Sequence, residues 1–138
     1  MDSIKSEVML LAPIQKVWDS FLEPKHVTKW FFAMQNWHSP KAENDFREGG
    51  KFKYRMEAKD GSFGYNFSGT ITDIEPLRKI LLTLEDGRNV EFQFDKLDEG
   101  TTRFTMIFQP ERQNTVETQR RFWEVVLHNF EKYVENSK

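Results

Sequence analysis

Apolar residues recur along this chain with two different periods, and the switches between them mark out its elements. Ile4, Val8 and Leu10 stand among charged neighbours and predict a first strand over residues 4–11. Ala12-Pro13 then opens a short helix, because a proline at the first helical position loses no needed N–H. Ile14, Val17, Trp18 and Phe21 give that helix one apolar face. Pro24 ends it and starts a second helix, running through Val27 to Trp30 and Phe31. Over residues 32–50 no period survives. Pro40, Asn44 and Gly49-Gly50 mark loop there, with Trp37 and Phe46 as apolar anchors. A connection this long in a compact domain is often functional, so residues 33–47 are expected to form the mobile rim of any cavity.

After Gly50 the period becomes two. Phe52, Tyr54 and Met56 alternate with Lys51, Lys53, Arg55 and Glu57, the pattern of a half-buried strand. Asp60-Gly61 supplies a hairpin turn into a long strand over residues 63–74, whose internal Gly64 and Gly69 are expected to permit a bend or bulge. Pro76-Leu77, Asp86-Gly87 and Glu99-Gly100 turn the chain into three more strands, around Ile80–Leu84, Val90–Phe94 and Thr102–Met106. Sequential hairpins of this kind make an antiparallel meander. The last element is a helix from Asn114, with Glu117 at capping-box spacing, to about Glu135. Val116, Trp123, Val126, Leu127, Phe130, Tyr133 and Val134 recur on one of its faces. At about 1.5 Å per residue it is roughly 30 Å long and crosses a small domain. The fold class that follows is α+β: a curved antiparallel sheet wrapped around a long C-terminal helix, with two short helices after the first strand.

Composition narrows the function classes. The 138 residues fit a single domain over 1–138, and no repeat or linker divides them. Thirteen Phe, four Trp and three Tyr imply a large core or an aromatic-lined cavity. With no cysteine there is no disulfide, thiolate nucleophile or zinc-thiolate site, which fits a cytoplasmic protein. The formal charge is -2, and the densest basic spots, Arg78-Lys79 and Arg120-Arg121, read as solvated surface; no nucleic-acid partner is expected. No apolar stretch is long enough to insert in a membrane, and the first residues have no signal-peptide layout.

The run Ala12-Pro13, Val17-Trp18, Phe21, Pro24, Val27 and Trp30-Phe31 resembles the opening of the activator of Hsp90 ATPase homologue family. Gly49-Gly50, Phe52, Gly69, Ile71, Ile74, Pro76, Val90, Phe92, Thr102, Trp123, Leu127, Phe130 and Tyr133 continue the likeness in order. That family belongs to the START-like (SRPBCC, helix-grip) superfamily. The resemblance implies the same sheet-around-helix fold and, in many members, a deep apolar cavity holding lipids, sterols or polyketides; a few members are cyclases or hydrolases. In the family's namesake this domain follows a separate N-terminal one, for which no counterpart is expected here, so co-chaperone activity is not carried over on the name alone. One departure bears on the cavity. Relatives often have glycine before the helix tryptophan, and this chain has Phe122 there, which narrows or plugs the cavity if it points inward.

Within that frame the aromatic set has two readings, a filled core or the walls of a ligand pocket. The candidate walls are Trp30, Phe52, Tyr54, Phe67, Phe94, Phe104, Trp123 and Leu127, with residues 33–47 as gate. Tyr54 and Tyr65 carry hydroxyls that need partners if buried, and either could orient a ligand. Acid–base chemistry finds no obvious pair: Glu57, Glu91 and Asp95 sit at alternating polar strand positions, and Ser62 and Ser68 lie in no nucleophile elbow. His26, His38 and His128 share no metal-ligand spacing, and His38 is the one candidate for a pocket rim. No metal or cofactor is expected, and catalysis is not called for. The leading expectation is an apolar small-molecule binder. A co-chaperone-like module contacting an Hsp90-type chaperone and a cyclase- or hydrolase-type enzyme are the alternatives.

Overall fold

In the computed structural model, which describes residues 3–33 and 35–137, the period-two segments become the strands of one antiparallel sheet. Its strands are β1 (Ile4–Leu10), β2 (Trp37–His38), β3 (Ala42–Asn44), β4 (Lys51–Ala58), β5 (Gly64–Glu75), β6 (Lys79–Leu84), β7 (Asn89–Asp98) and β8 (Thr101–Phe108). The helices are α1 (Ile14–Leu22), α2 (Pro24–Trp30) and α3 (Val116–Asn136). Strand order is β1-β8-β7-β6-β5-β4-β2, with β3 also on β4. From β4 to β8 each strand pairs with its sequence neighbour, the expected meander, and the chain's first strand closes the far edge beside its last.

Residues 35–47 depart from the expectation of irregular loop. Trp37↔Ala58 and His38↔Glu57 pair β2 with β4, and Ala42↔Tyr54 through Asn44↔Phe52 pair β3 with it. Between them Ser39 Oγ donates to the Arg55 carbonyl at 2.6 Å, and Arg55 N–H donates to the Lys41 carbonyl at 2.9 Å. The segment is an interrupted edge strand. Pro40 sits at the break, where its missing N–H costs no ladder bond, and pieces of two and three residues are too short to show a period. Met34, inside the expected rim, lies outside the described residues, as do Met1, Asp2 and Lys138.

Sheet irregularity falls elsewhere than the glycines implied. The register of β5 against β6 shifts between Ile71 and Asp73. Gly69 has a different role: a Cβ there would collide with the Thr83 carbonyl oxygen and lie 2.8 Å from Leu84 Cα, so the missing side chain lets β6 come close. A second shift, between Lys96 and Asp98, bends the end of β7.

The α1 and α2 faces bury Val17, Trp18, Phe21, Val27 and Trp30 against the sheet's inner face, and α3 adds Val126, Leu127, Phe130 and Val134. Two end effects differ by a residue from expectation. Pro13 is the N-cap of α1 and not its first helical residue, whereas Pro24 does stand in the first turn of α2. On α3 the cap is Thr115, whose hydroxyl accepts the Thr118 N–H at 3.1 Å; the Asn114 N–H is instead bonded to Glu111 Oε1 at 2.7 Å. Glu117 makes no capping box. It pairs with Arg120 at 3.0 Å and Arg121 at 3.3 Å. Val116, expected on the inner face, is exposed because it begins the helix beyond the sheet's cover. Thr115→Ala should therefore cost about 1 kcal/mol in urea unfolding, and Asn114→Ala much less; the reverse order would refute the cap assignment.

Candidate functional site: a cleft between the sheet and the last helix

The expected wall residues come together, but as packing. Trp30, Phe52, Tyr54, Phe67, Phe104, Trp123 and Leu127 surround one aromatic interior whose remaining void is about 20 Å³, room for about one water. Phe94 does not reach it; that ring packs edge-on against Trp18 at 4.9 Å and Phe104 at 5.0 Å. Phe130 packs against two of these rings, 4.6 Å from Trp30 and 5.0 Å from Phe104. The indole N–H of Trp30 is satisfied by the Ser20 carbonyl at 3.0 Å. Tyr54, 4% exposed, accepts from Asn44 Nδ2 at 3.0 Å, and the same amide donates to the Leu22 carbonyl at 2.8 Å. Burial raises the Tyr54 phenol well above its usual range, the Asn44 bond pulling the other way, so the hydroxyl is neutral and already engaged.

Open space lies further along the same face. A cleft of about 620 Å³ separates the first half of α3 from β5 to β8. Leu84, Val90, Met106 and Phe108 form its sheet-side floor, and Phe67, Phe122 and Trp123 line it as well. Of the expected walls only Phe67 and Trp123 face it; their ring centroids are 5.3 Å apart. Phe122 does turn toward the cleft, standing edge-on to Trp123 at 5.0 Å and 87°. It takes up volume there while leaving the cleft open. The rim is polar, supplied by Asn66 and Ser68 of β5, by Glu85, Asp86 and Arg88 of the β6–β7 hairpin, and by Glu111 and Gln119 around the start of α3. Gln119 is buried and fully used within its own loop: its amide donates to the Glu111 and Asn114 carbonyls at 3.0 Å, and its oxygen accepts the Glu111 N–H at 2.8 Å.

Reading by residue type missed Leu84, Val90, Met106 and Phe108, because nothing in their chemistry separates them from other inward positions. Adjacency to the Asp86-Gly87 turn was the available signal for Leu84 and Val90. Tyr65 borders the cleft, but its hydroxyl donates to Met56 Sδ at 3.4 Å, and burial raises its pKa. His38 lies on β2, 3.5 Å from Glu57, away from the cleft. His26 joins a chain on the far side of the fold, with Nε2 2.9 Å from Glu23 and Nδ1 bonded to the Tyr133 hydroxyl. Glu57 pairs with Arg55 at 3.0 Å, Asp95 with Arg103 at 3.5 Å, and Glu91 accepts from Gln93 at 2.6 Å. Among the described residues no three His, Asp or Glu side chains converge as a metal site, and no helix is long and apolar enough to cross a membrane.

This arrangement, an antiparallel sheet closed by a long final helix, has known counterparts. The family model described as activator of Hsp90 ATPase homolog 1-like protein matches residues 11–135. The chain belongs to this family. A solved AHSA1-like protein from Aeromonas hydrophila is 33% identical with a TM-score of 0.86, over 96% of this chain and 92% of that one. Chr148 from Cytophaga hutchinsonii is 39% identical with a TM-score of 0.83, over 97% and 92%. CV1439 from Chromobacterium violaceum, 21% identical with a TM-score of 0.86 over 99% and 100%, shares the fold. No curated protein matches the chain. Membership in the AHSA1-like family places the chain among START-like folds, which commonly bind ligands.

Proposed function

We propose that this AHSA1-like protein binds an apolar small molecule, of lipid, sterol or polyketide type, in the cleft between α3 and β5–β8. The observation that supports the reading is the cleft itself. Its volume of about 620 Å³ is of the size that encloses such ligands, and its floor is aromatic and aliphatic beneath a polar rim. The binding site proposed is therefore shifted from the packed interior around Phe130 toward Phe67, Phe122 and Trp123. The family's name points to a chaperone partner instead, but the concave apolar floor favours the small molecule.

A thermal-melt screen against fatty acids, sterols, flavonoids and aromatic polyketides tests the reading. A ligand at a hundred times its Kd stabilises by about 2.7 kcal/mol, which in a domain of this size raises Tm by roughly 8–12 °C. Trp123 then localises the effect. The ring is only partly buried, so Trp123→Ala should cost about 2 kcal/mol of stability, less than a fully buried aromatic, while weakening binding at least about tenfold. A folded Trp123→Ala protein with unchanged affinity would remove the cleft from the binding site. A screen silent across all classes would overturn the reading.

A further inference from the structure

The charge of the cleft wall carries the proposed function to a ligand class. Among the described residues three carboxylates line the cleft, Glu85, Asp86 and Glu111, against one cation, Arg88. Arg88 is spent locally: its Nε lies 2.8 Å from Asp86 Oδ2, and its Nη1 donates to the Gln109 carbonyl at 3.3 Å. Glu85 makes no side-chain hydrogen bond and no ion pair among the described residues, and Glu111 accepts only the neutral Asn114 N–H, at 2.7 Å. Within the cleft lining, then, Glu85 and Glu111 have no ion-pair partner among the described residues, although Glu85 also borders a depression shared with Lys51 and Lys53, and Glu111 one shared with Arg112. The start of α3 is a partial positive charge beside them. It is already answered, by the Thr115 cap on the Thr118 N–H and by Glu117 in the first turn. Arg112 lies on a neighbouring depression, outside the cleft lining. The rings of Phe67, on β5, and of Phe122 and Trp123, on α3, line the same cleft.

We propose that the cleft selects a cationic amphiphile, an organic amine or quaternary ammonium. Its flat apolar part lies on Phe67, Phe122 and Trp123, and its charge is turned to Glu85 and Glu111. Ring faces attract such a cation as well as its apolar portion, whereas a carboxylate or sulfate ligand would meet two unpaired negative charges. This rests on the cleft being a ligand site, so the two claims are tested by separable outcomes.

Three probes of one shape are titrated by NMR, following the backbone amides of Leu84, Phe122 and Trp123: 2-naphthylmethylamine, 2-naphthylmethanol and 2-naphthoate. The amine should bind about tenfold more tightly than the carboxylate at low salt, with the alcohol between them. High salt should shrink that ratio, because the carboxylates sit at the solvent edge. Glu85→Lys, at an exposed side chain without partners, should abolish or invert the preference. Glu111→Gln, which keeps an acceptor for the Asn114 N–H, should reduce it. Equal affinities, or tighter binding of the carboxylate, would overturn the cationic preference and leave the cleft a ligand site. A preference that survives both substitutions would likewise overturn it. No shift of the cleft amides with any probe would overturn the preference, and together with a silent thermal screen it would overturn the ligand site as well.

Discussion

Replacing Phe130 by alanine should lower stability by about 4 kcal/mol. Phe130 is fully buried in the second half of α3, with ring contacts to Phe21 at 5.9 Å, Trp30 at 4.6 Å and Phe104 at 5.0 Å. Those partners come from α1, α2 and β8, so one side chain is in contact with every layer. The rings around it interlock, the void beside Phe21 and Trp30 holds only about 20 Å³, and no ring can move in without disturbing the others. The cost is the lost transfer energy plus a cavity that does not collapse. Against a typical total of about 5–15 kcal/mol, the variant would be marginal. Urea unfolding at equilibrium measures it, and a loss under about 1.5 kcal/mol would show that the interior around Phe130 is looser than described.

Gly69→Ala should cost roughly 2–3 kcal/mol although it adds one methyl group. The added carbon would overlap the Thr83 carbonyl oxygen and approach Thr83 C at 2.9 Å and Leu84 Cα at 2.8 Å. All of these are backbone atoms held in the β5–β6 ladder, where Gly69 pairs with Leu84, so no rotamer change relieves the clash. The strands must separate, and the cleft floor at Leu84 moves with them. Gly100→Ala is the matched control. Its Cβ meets only Asp98 Oδ1, at 4.0 Å, and the change should stay within about 0.5 kcal/mol. Similar unfolding midpoints for the two variants would contradict the close approach of β5 and β6.

Much of this architecture was legible in the residue pattern, for a reason that concerns local physics. Alternation at Phe52, Tyr54 and Met56, the glycine-bearing turns at Gly61 and Gly87, and the helical spacing of Val126, Leu127, Phe130 and Val134 each reflect one element with one buried face. Gly61 and Gly87 have φ of 79° and 92°, a backbone region that glycine enters without strain. The resemblance to the AHSA1-like family rested on an overlapping set, Phe52, Leu127 and Phe130 among them, and was upheld. Where an element is too short for a period to develop, the reading failed, as at Trp37–His38 and Ala42–Asn44. It also slipped by a residue at the helix starts, where Asn114 and Thr115 are both competent caps and only the turn before the helix chooses between them.

The candidate site divides along the same line. That aromatic rings would meet between the sheet and the last helix followed from which positions face inward, a property each strand and helix carries by itself. Whether the rings would fill that space or enclose it depended on how far apart the elements settle, which no single element encodes. Phe21 and Trp30 line the nearly filled deep end, while the β6–β7 turn and the loop before α3 bring Glu85, Asp86, Arg88 and Glu111 to the rim of the open end. The sequence alone determined the helix-grip fold, its order of elements and its apolar faces, because these are set by local periodicity and turn chemistry. Only the tertiary structure decided which aromatics are core, which line the cleft and which charges stand unpaired beside it, because those follow from distances between residues far apart in the chain.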